Sequence, residues 1–295
     1  MAAPCDDLSP VQTSPDAPSV YLVAYPNQYR IVVDEPLRCE QEKPFLVLMI
    51  PVRPDDRKGR DTIRKTWGKE KVVLGRVVSH YFLLGMNKEQ NGTESVKEPV
   101  LEESQEHHDI LQSDFLDSYN NLTIKTMLMF EWLSSHCPNT SYAMKIDSDI
   151  FLNTHNLVNM LLTAPQHEYL TGLVTKQAHV RRHQTSKWFL PVSVYSEPYF
   201  PTYAQGLGYV FSLDLPKRIL EASANVKAVY IEDVYVGMCM NHLGIALTDP
   251  PGNLFRGRTA EEPSNCYWTT IITTILENSD QLSQVWSVYQ SQDDC

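Results

Sequence analysis

The sequence lacks any run of 18 or more apolar residues; its longest candidate, Phe45 to Ile50, is closed off by Pro51. A soluble chain without a membrane anchor is therefore expected. Residues 1–20 also lack the basic region and apolar run of a signal peptide, which suggests a mature or trimmed form of something longer. No C-x-x-C pair occurs among the six scattered cysteines (Cys5, Cys39, Cys137, Cys239, Cys266, Cys295), which disfavours structural zinc and leaves two or three long-range disulfides as the expectation. No internal repeat is visible. Positive charge is scarce: 25 Lys+Arg against 36 Asp+Glu give a net charge of −11. That excludes a general binder of phosphate backbones, so no nucleic-acid partner is expected. Small anionic ligands stay open, because a few local cations or a bound metal can override net charge.

What is present is ordinary globular material, 42% apolar, 21% charged and 10% aromatic, and long enough to bury a sizeable core. The first 20 residues hold Pro4, Pro10, Pro15 and Pro18 among small polar residues, as a flexible stem would, and residues 1–35 are set apart from a folded domain over 36–295. Phe45 to Ile50 reads as a parallel strand covered on both faces. Asp55-Asp56 opens a helical segment to about Trp67, and Val77 to Leu84 with Gly85 is a second strand and its exit turn. Leu122 to Cys137, apolar on nearly all sides, predicts a buried helix ended by Pro138. Tyr142 to Ile146 and Ile150 to Leu152 read as strands, followed by a helix over 155–162 and short strands near 169–172 and 208–212. Val229 to Ile231 reads as a strand feeding Glu232-Asp233 and a helix that stops at Gly244. The alternation predicts an α/β fold, a mostly parallel sheet flanked by helices, with ligands outside the strand carboxyl ends.

Two pairs of acids stand at such ends. Asp147-Ser148-Asp149 follows a strand, and two carboxylates two residues apart can converge on a hard divalent cation and so recruit a diphosphate. With 18 Asp in the chain, about one such spacing arises by chance, and an Asx-rich turn explains the pattern equally. Oxygen donors suit Mn²⁺ or Mg²⁺ better than zinc. Glu232-Asp233 aims at the same crevice and could supply a general base, although an acid at a helix start gains ~0.3–1 kcal/mol from the helix dipole without any catalytic role. Arg60, Arg64 and Lys65 could hold a phosphate there or simply meet water. Glu94 to Glu106 reads as an acidic solvated face, and His107-His108 has no ligand spacing. Trp67, Trp132, Trp188 and Tyr209 default to the core, yet Trp188, Gly206, Gly208 and Tyr209 fall in or beside a Pro- and Tyr-rich stretch where an aromatic could stack on a pyranose. Sequons occur at Asn91, Asn121 and Asn139, against about two expected by chance.

Taken in order, Ile63-Arg-Lys-Thr-Trp-Gly68, Phe82-Leu-Leu-Gly85, Asp117-Ser-Tyr-Asn-Asn-Leu-Thr-Ile-Lys-Thr126, Met144-Lys-Ile-Asp-Ser-Asp149, Ser186-Lys-Trp188, Gly208-Tyr-Val-Phe-Ser212 and Glu232-Asp-Val-Tyr-Val-Gly237 resemble the β-1,3-galactosyltransferase family over about residues 36–295. The resemblance implies a GT-A, Rossmann-like fold. It also implies inverting transfer of galactose from UDP-galactose to a hydroxyl of a GlcNAc-, GalNAc- or Gal-terminated acceptor glycan, in a Golgi-lumenal, type II membrane protein whose anchor this chain lacks. It makes Asp147 to Asp149 the manganese motif with Asp149 the direct ligand, Asp233 the base with Glu232 in support, and Arg60, Arg64, Lys145, Asp147 and Ser148 donor contacts. Trp188, Gly206, Gly208 and Tyr209 fall to the acceptor, and Cys39–Cys137 and Cys239–Cys266 are the disulfides it suggests. Two departures stand out: Ala204-Gln-Gly206 where many members read Cys-Ser-Gly, and no histidine after His242 where relatives often present a further metal ligand. The alternatives are a β-1,3-N-acetylglucosaminyltransferase on the same scaffold and a non-catalytic sugar-binding module.

Overall fold

The computed structural model describes residues 20–87, 98–260, 263 and 266–291. Strand β1 (Ile31–Val33) and helix α1 (Arg38–Glu42) precede β2 (Leu46–Pro51), α2 (Arg57–Lys65), β3 (Val72–Val73) and β4 (Arg76–Met86). Next come α3 (Glu98–His107), β5 (Ile110–Leu116), α4 (Leu122–His136), β6 (Tyr142–Ile146), β7 (Ile150–Leu152) and α5 (Thr154–Leu161). The chain continues through β8 (Leu170–Thr175), β9 (Tyr203–Ser212), α6 (Leu215–Ser223), α7 (Glu232–His242), β10 (Thr273–Ile275) and α8 (Ser279–Gln290).

One sheet runs in the order β1-β5-β4-β2-β6-β9-β8, with β3 on β4. Its four central strands, β5, β4, β2 and β6, are parallel, so their carboxyl ends share one edge. The flanking β1, β9 and β8 are antiparallel to their neighbours. This is the α/β, mostly parallel architecture expected. Every residue of β2 is buried, and alternate side chains divide between two cores. Leu46, Leu48 and Ile50 join residues of α5 and α8, whereas Val47 and Met49 join residues of α4, α6 and α7. A strand sandwiched by helices has no polar face to show, which is why its sequence carries no alternation. Helix α4, buried over ten residues, packs against α6 and α7 on that second face. Asp56 caps α2 by accepting from Gly59 N at 2.9 Å, and Trp67 is a core residue whose indole donates to the Ile150 carbonyl at 3.1 Å.

Several expectations are corrected. Val229 to Ile231 is not a strand but an irregular segment with one isolated bridge, Leu22 to Val229. Residues 20–35, grouped with the stem, belong to the domain: β1 pairs with β5, and Tyr25 donates to Glu131 Oε1 at 2.7 Å. Residues 1–19 lie outside the described residues. Cys39 and Cys137 are disulfide-bonded, tying α1 to the end of α4. Cys239, by contrast, is free and buried in α7, so the Cys239–Cys266 pairing fails; Cys266 is disulfide-bonded, but not to Cys239.

Candidate active site

Three short segments meet where β6 ends. The chain leaves Ile146 into Asp147-Ser148-Asp149, and Asp147 N donates to the Leu207 carbonyl at 3.1 Å, stitching this turn to β9. Because β9 is antiparallel, with Gly208 opposite Ile146, Gly206 is carried past the end of β6 into the crevice. The first turn of α7 then closes on it: Gly206 N donates to Asp233 Oδ2 at 2.9 Å. Sheet topology thus gathers both acid pairs of the sequence at one carboxyl-end crevice, where open α/β sheets place their ligands.

Lys145 is the pin. Its Nζ donates to Asp147 Oδ1 at 2.6 Å and to the Gly206 carbonyl, and lies 3.6 Å from Glu232 Oε2. Burial opposes a charge on Lys145, but the Asp147 and Glu232 carboxylates outweigh it and hold the ammonium above its usual range. Glu232 is buried, its Oε1 accepting from Tyr209 Oη at 2.7 Å and Thr126 Oγ1 at 3.0 Å. Asp233 is half-buried, with Oδ1 accepting from Val234 N at 2.9 Å. Burial raises the pKa of both carboxyls, and the hydrogen bonds from Gly206 and Val234 and the charge of Lys145 offset this only in part at Asp233. The two acids are therefore unequal. Glu232 is committed to internal donors, whereas Asp233 keeps an open side.

Asp149 stands exposed at the mouth, and partial desolvation together with the Asp147 charge raises its pKa. Among the described residues no group of three or more His, Cys, Asp or Glu is arranged to hold a metal unaided. Asp147 and Asp149 nevertheless offer hard oxygen donors whose mutual repulsion a divalent cation would relieve. Two such donors suit Mn²⁺ or Mg²⁺, which accept diphosphate and water as further ligands. Ser148 is half-buried in the same turn.

An aromatic wall faces this cluster. Trp188 is 44% and Tyr119 47% exposed. Lys187 Nζ lies 4.5 Å from the Trp188 ring centroid and 6.0 Å from that of Tyr119, and the Tyr119 hydroxyl senses the Asp233 charge. Tyr230 fixes the loop by sharing its one hydroxyl hydrogen between the carbonyls of Lys187 and Phe189, at 2.9 and 3.0 Å. Tyr119 went unassigned in the sequence although it lies within the block 117–126; nothing in its spacing marks it, since a 3-10 turn rather than a helix presents it.

Other expected residues are placed differently. Tyr209 is 1% exposed and supports Glu232 from behind, so it cannot contact an acceptor. Gly208 is buried against β6, where a Cβ would approach Met144 Cε to 3.0 Å, whereas a Cβ on Gly206 would point between Glu232 Oε2 (3.4 Å) and Asp233 Oδ2 (3.6 Å). Arg60 and Arg64 are not brought to the carboxylates. Arg60, 1% exposed, donates to Glu103 Oε1 and Oε2 at 2.7 and 2.6 Å and to the carbonyls of Arg53 and Pro54. Arg64 grips Asp109 at 2.9 and 2.7 Å and lies 2.8 Å from Glu103. The acidic stretch therefore does not merely face water: Glu103 is buried at the centre of this network. The network underlies a cleft of about 230 Å³ lined by Asp55, Arg57, Arg60, Asn87, Glu103 and Gln112, on the same carboxyl-end edge of the sheet.

Of the sequons, Asn139 is exposed in a turn, whereas the amide nitrogen of Asn121 donates to the Leu116 carbonyl at 2.8 Å and its Thr123 is buried. Asn91 lies outside the described residues.

Fold and site together define an α/β domain in which two acid pairs, one on a turn and one on a helix start, share one crevice beyond a mostly parallel sheet. A galactosyltransferase family model matches residues 58–251. β-1,3-Galactosyltransferase 2 of Pongo abelii is 37% identical over 271 residues, covering 90% of this chain and 64% of the relative, and the Homo sapiens protein of that name is 36% identical over the same spans. β-1,3-Galactosyltransferase 1 of Mus musculus is 35% identical over 265 residues, covering 89% of this chain and 79% of the relative. The chain belongs to the galactosyltransferase family. It spans slightly less than two thirds of the length of the first-named relatives.

Proposed function

We propose that this chain transfers galactose from UDP-galactose to a hydroxyl of an acceptor glycan, forming a β-1,3 linkage with inversion. The observation that carries the reading is the juxtaposition, through Lys145 and Gly206, of a half-open Asp233 with the Asp147–Asp149 turn. The attacking acceptor oxygen forms its bond to the anomeric carbon as the bond to the diphosphate breaks, with the electron pair leaving on UDP. Asp233 takes the hydroxyl proton on its open side. Its raised pKa suits this, since a base whose pKa lies nearer the working pH drives proton transfer better than an ordinary carboxylate. Glu232, held by Tyr209, Thr126 and Lys145, keeps the first turn of α7 in place. Asp147 and Asp149 would hold Mn²⁺ or Mg²⁺, which when bound supplies Lewis-acid stabilisation of charge on the departing diphosphate. Trp188 and Tyr119 offer apolar faces to the acceptor sugar. The Cys39–Cys137 disulfide is consistent with an oxidising compartment such as the Golgi lumen, and among the described residues no helix is long and apolar enough to cross a membrane.

The test is UDP release with and without Mn²⁺ against GlcNAc-, GalNAc- and Gal-terminated acceptors, with UDP-N-acetylglucosamine as competing donor. Metal-dependent release from UDP-galactose with one acceptor class is expected. Preference for UDP-N-acetylglucosamine would move the donor assignment, and silence across the panel with UDP still binding would leave a sugar-binding module.

A further inference from the structure

In a chain of net charge −11, residues 169–196 contain no Asp or Glu and carry Lys176, Arg181, Arg182 and Lys187. Two of these cations have structural work. Lys176 pairs with Asp249 at 2.6 Å, and Arg182 donates to the carbonyls of Leu190, Tyr195 and Glu197, holding the loop in shape. Arg181 and Lys187 are different: both are exposed, and neither makes an ion pair among the described residues. The loop folds back on itself through the bridge between Arg181 and Phe189, with Leu190 N donating to the Arg181 carbonyl at 3.0 Å, so Arg181 and the Lys187-Trp188 pair lie on adjacent runs of one surface.

That surface borders the crevice. Lys187 rests 4.5 Å from the Trp188 ring centroid and 6.0 Å from that of Tyr119, and its carbonyl accepts from Tyr230, three residues before Asp233, while Arg181 lies on the adjacent run through its bridge to Phe189. The crevice itself holds Asp147, Asp149, Glu232 and Asp233, and such a concentration of carboxylates repels an anionic sugar. An anionic group on the acceptor would need cations at this rim to offset them, and Arg181 and Lys187 stand there without a carboxylate partner among the described residues. We propose that the acceptor carries an anionic group, a sulfate or a carboxylate, received between Arg181 and Lys187 while its sugar ring lies against Trp188. The proposal rests on the transferase reading for the word acceptor, but the binding it requires can be measured without turnover.

The experiment compares a GlcNAc-terminated disaccharide, its 6-O-sulfated form and a uronate-containing form, by kcat/KM at low and high salt and by calorimetric binding in the absence of donor. Each exposed cation contributes about threefold, so the charged forms should exceed the neutral one by about tenfold at low salt. The advantage should shrink as salt rises. Arg181→Gln combined with Lys187→Gln should bring the charged-to-neutral ratio to about one, whereas Lys187→Arg should preserve it. A larger ratio for the sulfated or for the uronate form identifies which anion is used. Equal kcat/KM and equal binding for all three, or a ratio untouched by the double substitution, overturns the proposal while leaving the transferase intact. Absence of turnover with every acceptor refutes the transferase reading; charge-dependent binding lost in the double variant would still uphold the anion site, and charge-independent binding would refute it.

Discussion

Replacing Glu103 by Gln removes the one carboxylate shared by Arg60, Arg64 and Arg57, which approach it at 2.6, 2.8 and 3.7 Å. Glu103 and Arg60 are both 1% exposed, so water can reach the lost partner only from the cleft above the network. Breaking a buried pair by removing one charge typically costs about 3–5 kcal/mol. The lower end applies here, because Arg64 keeps Asp109 and Asp61, and Arg60 keeps the carbonyls of Arg53 and Pro54. For a domain of this size about 3 kcal/mol corresponds to a fall in Tm of roughly 6–10 °C. Thermal unfolding followed by circular dichroism at low and high salt measures it, and the shift should persist at high salt because a buried pair is little screened. Glu106→Gln, at a side chain 62% exposed, serves as the control and should move Tm by about 1 °C or less. A Glu103→Gln shift no larger than the control would refute the buried network and restore the solvated acidic face that composition alone suggests.

Burial, reinforced by the charges of Lys71 and Arg38, pushes the His80 pKa down from 6.5 to about 4 against the pull of Asp109. The unfolded chain then binds a proton that the folded one refuses, so His80 costs stability as pH falls from about 6.5 to 4, on the order of 3 kcal/mol in all. Tm against pH should show this slope and His80→Gln should flatten it; an unchanged slope would contradict the assignment. Gly206→Ala should leave Tm within about 2 °C, since its Cβ meets only ordinary contacts, yet cut turnover at least tenfold by filling the space between Glu232 and Asp233; full turnover would mean that space is unused. Cys239 should react with a thiol reagent only after denaturation, and peptide mapping should find Cys39 joined to Cys137; a peptide linking Cys239 to Cys266 would contradict the structure.

What the sequence disclosed follows from locality. The apolar run at Phe45 to Ile50 and the all-round apolar helix from Leu122 onward declare themselves because burial on both sides leaves no alternative pattern. The acid pairs at 147–149 and 232–233 were legible as acids at element boundaries, and topology brought them together. Position alone could not rank Glu232 against Asp233; that required the two hydroxyls spent on Glu232. The ion pair of Arg60 is hidden from the sequence for a related reason. A charge on a helix is indistinguishable from a solvated one until its partner, 43 residues away in an acidic stretch, is seen beside it. Cys239 shows the same limit, since pairing depends on which side chains share a core and not on spacing. Val229 to Ile231 is β-branched and aromatic, but it bridges only Leu22 and accepts from Thr123 of α4 instead of joining the sheet, so its propensity is overridden by its neighbours.

The central claim is that Asp233 takes the acceptor proton beside an intact donor site. Its most direct test is turnover of UDP-galactose by Asp233→Asn, measured together with UDP affinity in the presence of Mn²⁺. A loss of about 10²–10⁴-fold in kcat with UDP affinity preserved is the predicted result. Turnover within a few-fold of the unsubstituted protein would take the base role from Asp233 and with it the proposed reaction geometry.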